Sequence, residues 1–173
     1  MNLIITCSRH LESEAAQEIH DILEELGDDD STVDITHMSG IVTAVTSLDP
    51  FVVVEKIKKR ILDEPWSIRY CLRIIPIQET VATEKEEIVN AVIKHAAIIE
   101  SKDTYRITVE KRHSAISTSE IISGIADKIH SKVSLEQFEW IILVEILGNK
   151  TGISVLKEAN IVSTQKLKRS LSE

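Results

Sequence analysis

Apolar residues recur along this chain with two periods, and the alternation between them lays out the elements. Asn2 to Cys7 (NLIITC) is a short unbroken apolar run and predicts a buried opening strand. From Leu11 to Leu26 the apolar positions Leu11, Ala15, Ile19, Leu23 and Leu26 fall three or four apart. That spacing predicts an amphipathic helix, with Ser8 available as a cap and Gly27 as the stop signal. Val33 to His37 and Ile41 to Val45 read as strands of a hairpin turned by Met38-Ser39-Gly40. Asp49-Pro50 opens a second helix, Asp as cap and Pro at the first helical position, and it runs to about Leu62. Ser67 to Gln78 (SIRYCLRIIPIQ) predicts a long strand carrying Arg69 and Arg73 on one face, with Pro76 near the end of pairing. The order βαββαβ is that of a ferredoxin-like domain.

Glu79 to Thr83 then reads as a boundary, dividing the chain into domains 1–80 and 81–173. Thr83, followed three residues later by Glu86, predicts a capping box for a third helix ending near Ile99. Thr104 to Ile129 (TYRITVEKRHSAISTSEIISGIADKI) begins as a strand, with Tyr105, Ile107 and Val109 alternating. It passes through Lys111-Arg112-His113 and a serine-rich turn, then enters a helix expected over about Ser117 to Lys132. Trp140 to Gly148 (WIILVEILG) is almost continuously apolar, as an inner strand covered by helices would be. Asn149-Lys150 turns it into a hairpin partner, Thr151 to Leu156. The tail from Lys157 offers one apolar patch, Ile161-Val162, and is expected to be a short edge element followed by a frayed end. Together these elements predict an α+β chain: a ferredoxin-like domain followed by an α/β domain.

Composition narrows the chemistry. The content of 43% hydrophobic and 28% charged residues is that of a globular protein, and aromatics at 3% leave the core to Ile, Val, Leu and Ala. Cys7 and Cys71 lie far apart inside apolar runs, which points to buried free thiols in a reducing compartment rather than a disulfide. No leader-like pattern opens the chain and no apolar run is long enough to span a bilayer, so a cytoplasmic location is expected. Net charge is −8, unfavourable for a polyanionic partner, but it divides unevenly. Residues 1–80 hold 15 acidic and 7 basic side chains; residues 81–173 hold 13 of each. The second half is the more permissive place for contact with a polyanion.

Catalytic signatures are missing. The chain has no glycine-rich phosphate loop, no CxxC, no HExxH and no nucleophile elbow, and its histidines include no pair spaced for a metal. Asp28-Asp29-Asp30 reads as a solvated turn, because no EF-hand spacing follows it. What remains is the joint at Thr104–Ile129. A strand that delivers cations to a hydroxyl-rich loop at a helix N-terminus is arranged to hold an anion, since the helix amides and dipole favour negative charge there. The same joint also arises with two cations by chance, and pattern alone leaves both readings open.

The residues do carry a resemblance. The helix from Thr83, the stretch TYRITVEKRHSAISTSEIISGIADKI, Leu135, and FEWIILVEILGNKTGISVL together resemble a THUMP domain. The first 80 residues are similar to the ferredoxin-like domain that precedes it in the family. NLIITCSRHLESEAAQEIHDILEELGD, Ser39-Gly40 and PWSIRYCLRIIPI look like the archaeal and eukaryotic members that lack a catalytic domain. The resemblance implies tRNA binding at the acceptor stem and 3′ end. It also implies a non-enzymatic adaptor, without a cofactor of its own, that presents tRNA to an acetyltransferase using acetyl-CoA and ATP to form N4-acetylcytidine. Alternatives are a binding subunit of another tRNA-modifying enzyme, such as a methyltransferase, or a protein-interaction module that does not touch RNA.

Lys111 and Arg112 match the family's basic pair and are the first candidates for RNA contact, with Arg106 next. Ser117, Thr118 and Ser119 offer hydroxyls and amides to phosphate. Lys128 and Lys132 on the following helix, Lys150 in the hairpin turn, and Arg69 and Arg73 in the first domain are flanking candidates, each equally readable as a solvated surface cation.

Overall fold

Leu3, Ile4 and Ile5 are wholly shielded from water, and the strand they form, β1 (Leu3–Thr6), becomes the middle of an antiparallel sheet. In the computed structural model, which describes residues 1–173, β1 is followed by α1 (Glu12–Glu25), β2 (Thr32–Ile35) and β3 (Ile41–Val45). Then come α2 (Pro50–Asp63) and β4 (Arg73–Pro76). The strands lie in the order β4-β1-β3-β2, every neighbour antiparallel. This is the expected ferredoxin-like arrangement. Ala15, Ile19, Ile22 and Leu23 of α1 and Val53, Val54, Ile57 and Ile61 of α2 bury against Leu3, Ile5, Val42, Ala44 and Ile74. The helical period of 3.6 thus meets the strand period of 2 in one apolar layer.

Several local expectations are replaced by tertiary ones. Asp49 does cap α2, accepting from the Phe51 amide at 2.8 Å. Ser8, by contrast, does not cap α1; the helix begins behind Leu11, and the Glu12 carboxylate reaches the Gly40 amide at 2.8 Å. Gly40 has a φ of +76°, and a Cβ there would lie 2.8 Å from the Cys7 carbonyl oxygen, so the turn accepts only glycine. The long strand expected over Ser67–Gln78 forms only at Arg73–Pro76. Pro65–Ser67 is a 3-10 turn, and the Glu18 carboxylate accepts from the amides of Arg69, Tyr70 and Cys71 at 2.8, 3.0 and 2.9 Å. A side chain therefore takes the hydrogen bonds that a neighbouring strand would have taken.

The second sheet belongs to a separate unit. Glu79 to Thr83, expected as a boundary, is mostly strand: β5 (Glu79–Ala82) pairs along β9 (Lys150–Leu156). Between them lie α3 (Lys85–Ala96), β6 (Thr104–Arg112), α4 (Thr118–Ala126), β7 (Lys132–Val133) and β8 (Trp140–Leu147). The sheet order is β5-β9-β8-β6-β7. β6 runs parallel to β8 through the α4 crossover, and β8 and β9 form the expected hairpin. Ile88, Val92, Ile121 and Ile125 of the two helices pack on Ile142, Val144, Ile146, Ile153 and Val155. Gly124 lets α3 and α4 approach, since a Cβ there would sit 3.1 Å from Val89.

Two element ends differ from expectation. The Thr83 hydroxyl bonds the Thr151 hydroxyl at 2.9 Å instead of capping α3, whose cap position is Glu84. Helix α4 ends at Ala126 and does not reach Lys132, which instead opens β7 beside Thr104. The larger difference is the tail. The division expected at residue 80 gave all of 81–173 to the second domain, whereas the chain divides into Met1–Ile77 with Ala159–Glu173, and Gln78–Glu158. After a 3-10 turn (Glu158–Asn160), β10 (Val162–Ser163) adds to the edge of β4, and α5 (Thr164–Ser170) follows. Val162 is fully buried, the Thr164 hydroxyl donates to the Cys71 carbonyl at 2.7 Å, and the Lys168 ammonium donates to the Ile68 carbonyl at 2.7 Å. The tail is a structural part of the first unit, held by pairing partners distant in sequence.

Candidate nucleic-acid interface

The strand register of the second unit defines one end of its sheet. Arg112 of β6 stands beside Leu147 of β8, Leu147 beside Lys150 of β9, and Lys150 beside Ala82 of β5. This row spans four strands, about 15 Å at the usual spacing. Both helices of the unit begin just beyond it, α3 at Lys85 and α4 at Thr118. Two helix N-termini and the cations Lys85, Lys111 and Lys150 therefore lie at one end, Lys111 on the helix-covered face and Lys150, in register with Leu147 and Arg112, on the opposite one, with exposed His113 between strand and turn. His113 has a φ of 55°, the left-handed conformation that takes the chain off β6 toward α4.

At this end the neighbours Lys111 and Arg112 do different things, because successive strand residues point to opposite faces. Lys111 is exposed on the helix-covered face, and its ammonium donates to the Ile116 carbonyl at 3.0 Å, which holds it over the turn leading into α4. Arg112 points the other way and pairs with Glu145 at 3.2 Å; that carboxylate is only 2% exposed. A buried carboxylate needs a cation, and Arg112 supplies it. The expected basic pair is thus one surface cation and one structural cation. The sign was legible in the sequence, since WIILVEILG sets one Glu inside an apolar strand.

Ser117 is the N-cap of α4, its hydroxyl accepting from the Glu120 amide at 3.3 Å and lying 3.1 Å from the Ser119 hydroxyl. A neutral hydroxyl closes this helix end, and Thr118 and Ser119 flank it. Glu110 and Glu120 are the exposed acidic neighbours. The end of α3 is less favourable to an anion, because Glu86 and Glu87 already occupy its first turn. Lys85 went unnoticed in the sequence, where it is one charge in the run TEKEEI. It stands at the start of α3, and its stem passes over α4, with Cε 3.4 Å from where a Gly124 side chain would be, about 9 Å along the helix from Thr118.

Other candidates are not brought here. Lys128 lies beyond the far end of α4, about 15 Å along the helix from Thr118. It borders a cavity of about 360 Å³ lined by Ile93, Ala96, Ile99 and Ile129. Lys132 pairs beside Thr104, at the opposite end of β6 from Lys111 and about 23 Å away along the strand. Arg106 sits in mid-strand on the face opposite Lys111. Its guanidinium lies 5.4 Å over the Phe138 ring and donates to the Leu135 carbonyl at 3.4 Å. Arg69 and Arg73 are exposed residues of the first unit: Arg69 in the bend held by Glu18, Arg73 at the start of β4.

Neither thiol is set up for chemistry. Cys7 and Cys71 are buried and unpaired. Burial pushes both thiols up, with Glu12 and Glu14 adding to the effect at Cys7 and Glu18 at Cys71. Asp28, expected as part of a solvated turn, is buried and accepts from the Thr46 hydroxyl at 2.5 Å and the Ser47 hydroxyl at 2.6 Å. Burial alone raises its pKa. Hydrogen bonds from the side chains of Ser47 and Thr46 and the amides of Ser47 and Asp30 outweigh that and hold the carboxyl below its ordinary range. No helix is long and apolar enough to cross a membrane.

Residues 82–156 match the family model of the THUMP domain. No curated protein matches the chain in sequence. Among solved structures, PH1313 from Pyrococcus horikoshii Ot3 superposes with a TM-score of 0.66 at 16% identity, over 91% of this chain and 55% of that one. TrmN from Thermus thermophilus gives 0.59 at 13% identity, over 88% and 44%. A 4-thiouridine synthetase in complex with RNA and ATP gives 0.54 at 12% identity, over 94% and 42%. At such identities the likeness is one of fold, and the chain spans about half the length of the structures it matches.

Proposed function

We propose, because residues 82–156 match the family model of the THUMP domain, that this chain binds tRNA at the end of the second sheet that carries Lys111, the α4 N-terminus, Lys85 at the start of α3 and, on the opposite face, Lys150. The observation that carries the reading is that these cations and both helix starts lie at one end of the sheet. Lysines supply sequence-independent attraction to phosphate, and the Ser117–Ser119 amides and hydroxyls fix where a phosphate sits. One structural neighbour is a 4-thiouridine synthetase complexed with RNA, which supports RNA as the ligand of this fold. Arg112 pairs with Glu145, so it ranks behind Lys111 as an RNA contact.

In the finer reading, the chain is a non-catalytic adaptor that presents the acceptor stem and 3′ end of tRNA to a cytidine acetyltransferase. The support is the THUMP resemblance of its residues, together with a site that offers cations and hydroxyls but no activated nucleophile. The test is nucleoside analysis of tRNA from a strain lacking the gene: loss of N4-acetylcytidine supports the adaptor, and its persistence excludes it. A second reading, a tRNA-binding subunit for a methyltransferase, is favoured by structural neighbours described as methylases or methyltransferases. In that case a methylated nucleoside disappears from the same digest.

A further inference from the structure

The two cysteines of the chain, more than sixty positions apart in sequence, are set opposite one another by the first sheet. Their backbone bonds show how. From Leu3↔Pro76 to Thr6↔Arg73, β1 and β4 pair in one regular antiparallel register. At Thr6 that register slips by one residue, because the Thr6 carbonyl accepts from the Leu72 amide at 2.8 Å. Leu72 and Arg73 therefore share a single partner, which makes a β-bulge. Beyond the bulge, the residue opposite Cys7 is Cys71.

The opposed cysteines do not bond each other's backbone. The Cys7 amide donates to the Gly40 carbonyl at 2.9 Å, on the β3 side. The Cys71 amide donates to the Glu18 carboxylate at 2.9 Å, and the Cys71 carbonyl accepts from the Thr164 hydroxyl at 2.7 Å. Opposed residues of this kind are the closer of the two antiparallel pair types, with Cα atoms about 4.5 Å apart. A disulfide requires Cα atoms roughly 4.4–6.8 Å apart and Cβ vectors that do not diverge. Both side chains lie on one face of the sheet. Cys7 and Cys71 belong to the same buried cluster as Ala15 and Ile19 of α1, and the Cys71 sulfur lies 3.6 Å from the Ala15 carbonyl.

We propose that Cys7 and Cys71 form an oxidation site: a reduced thiol pair that a peroxide closes into an intramolecular disulfide across the end of the first sheet. Cys7, 8% exposed against 0% for Cys71, is the sulfur that the oxidant reaches first. Its sulfur takes one peroxide oxygen, the O–O bond breaks, and the other oxygen leaves as water, so that Cys7 becomes a sulfenic acid. The Cys71 sulfur then attacks the Cys7 sulfur, the S–O bond breaks, and the hydroxyl leaves as water with the Cys71 proton. Two thiols give up two electrons and two protons, and the peroxide is reduced to two waters. Neither thiol is primed to attack an outside substrate, because burial disfavours its thiolate. The first step is therefore slow. What the fold supplies is the second step, through a neighbour that captures the sulfenic acid before it oxidises further. The bond ties β1 to the bend at 69–71, whose amides otherwise rest on Glu18. Closing so long a loop should raise the melting temperature by roughly 5–10 °C.

Treating the native protein with hydrogen peroxide, then reading intact mass, tryptic map and melting temperature, tests this independently of any RNA. Expected are the loss of two hydrogen atoms with no oxygen added at either cysteine, and linkage of the tryptic peptides Met1–Arg9 and Tyr70–Arg73. The melting temperature should rise, and dithiothreitol should reverse both the linkage and the rise. Cys7→Ala and Cys71→Ala should each abolish the reversible rise. Comparing every variant with itself, with and without peroxide, removes whatever the substitution does to the fold. Native protein that accumulates sulfinic acid at either cysteine without linkage overturns the proposal. So does a disulfide that joins two molecules, one that forms only in denatured protein, or one that leaves the melting temperature unmoved or lower.

Discussion

The two units handle negative charge in opposite ways. In the first, carboxylates of the chain itself occupy the exposed backbone donors. Glu18 takes three consecutive amides at 69–71, Glu12 takes that of Gly40, and Asp28 gathers Thr46, Ser47 and Asp30. In the second, α4 is closed by a neutral serine, and Lys85, Lys111 and Lys150 stay at the surface of the same end of the sheet. The first unit closes exposed backbone donors with its own carboxylates, whereas the second keeps three lysines at one end of its sheet, beside Glu110 and Glu120. This contrast replaces the one drawn from net charge. With the tail returned to the first unit, the units hold 15 acidic and 10 basic residues against 13 and 10, a difference of only two charges. Placement, not balance, distinguishes them.

The largest expected effect breaks the contrast inside the second unit. Arg112→Glu places a second carboxylate beside buried Glu145 and should cost about 3 kcal/mol of stability, read from a denaturant midpoint. Lys111→Glu should leave that midpoint almost unmoved. A double reversal of the pair would therefore confuse unfolding with loss of binding, and Lys111 must be tested alone.

Next in size is Asp28→Ala in the first unit, which strands the hydroxyls and amide that converge on it and should cost about 2 kcal/mol. A carboxyl held below its ordinary range stabilises the fold above that range and loses the contribution as pH falls through the depressed value. The stability gap between wild type and Asp28→Ala should therefore be full at neutral pH and close below about pH 4. A gap independent of pH would mean that the carboxylate is not the hub. Smaller still, Ser117→Ala removes the cap of α4 at a cost of about 1 kcal/mol, seen in thermal unfolding, and should weaken tRNA binding only modestly.

Much of this was legible in the sequence wherever a local pattern coincided with a tertiary partner. The opening strand, the β2–β3 hairpin, the Asp49-Pro50 helix start and the β8–β9 hairpin all follow from periodicity and capping chemistry. What escaped depended on partners far away in the chain. Glu79–Ala82 has no apolar run of its own and becomes a strand only because β9 offers an edge. Val162 is one residue of a two-residue strand, fixed by Ile74 nearly ninety positions earlier. At the candidate site, the strand period already implied that Lys111 and Arg112 diverge, and the lone Glu145 implied a cation beside it. The part played by Lys85 could not be read, because it depends on α3 lying against Gly124 of α4.

Equilibrium binding of tRNA by fluorescence anisotropy across a salt series tests whether one end of the second unit grips tRNA. Log affinity should fall linearly with log salt. Lys85→Glu, Lys111→Glu and Lys150→Glu should each lower affinity by about tenfold and reduce the slope by about one phosphate. Lys128→Glu and Lys132→Glu, at the far end of the same unit, should change little. Equal losses from both sets, or none from the first in folded protein, would contradict it.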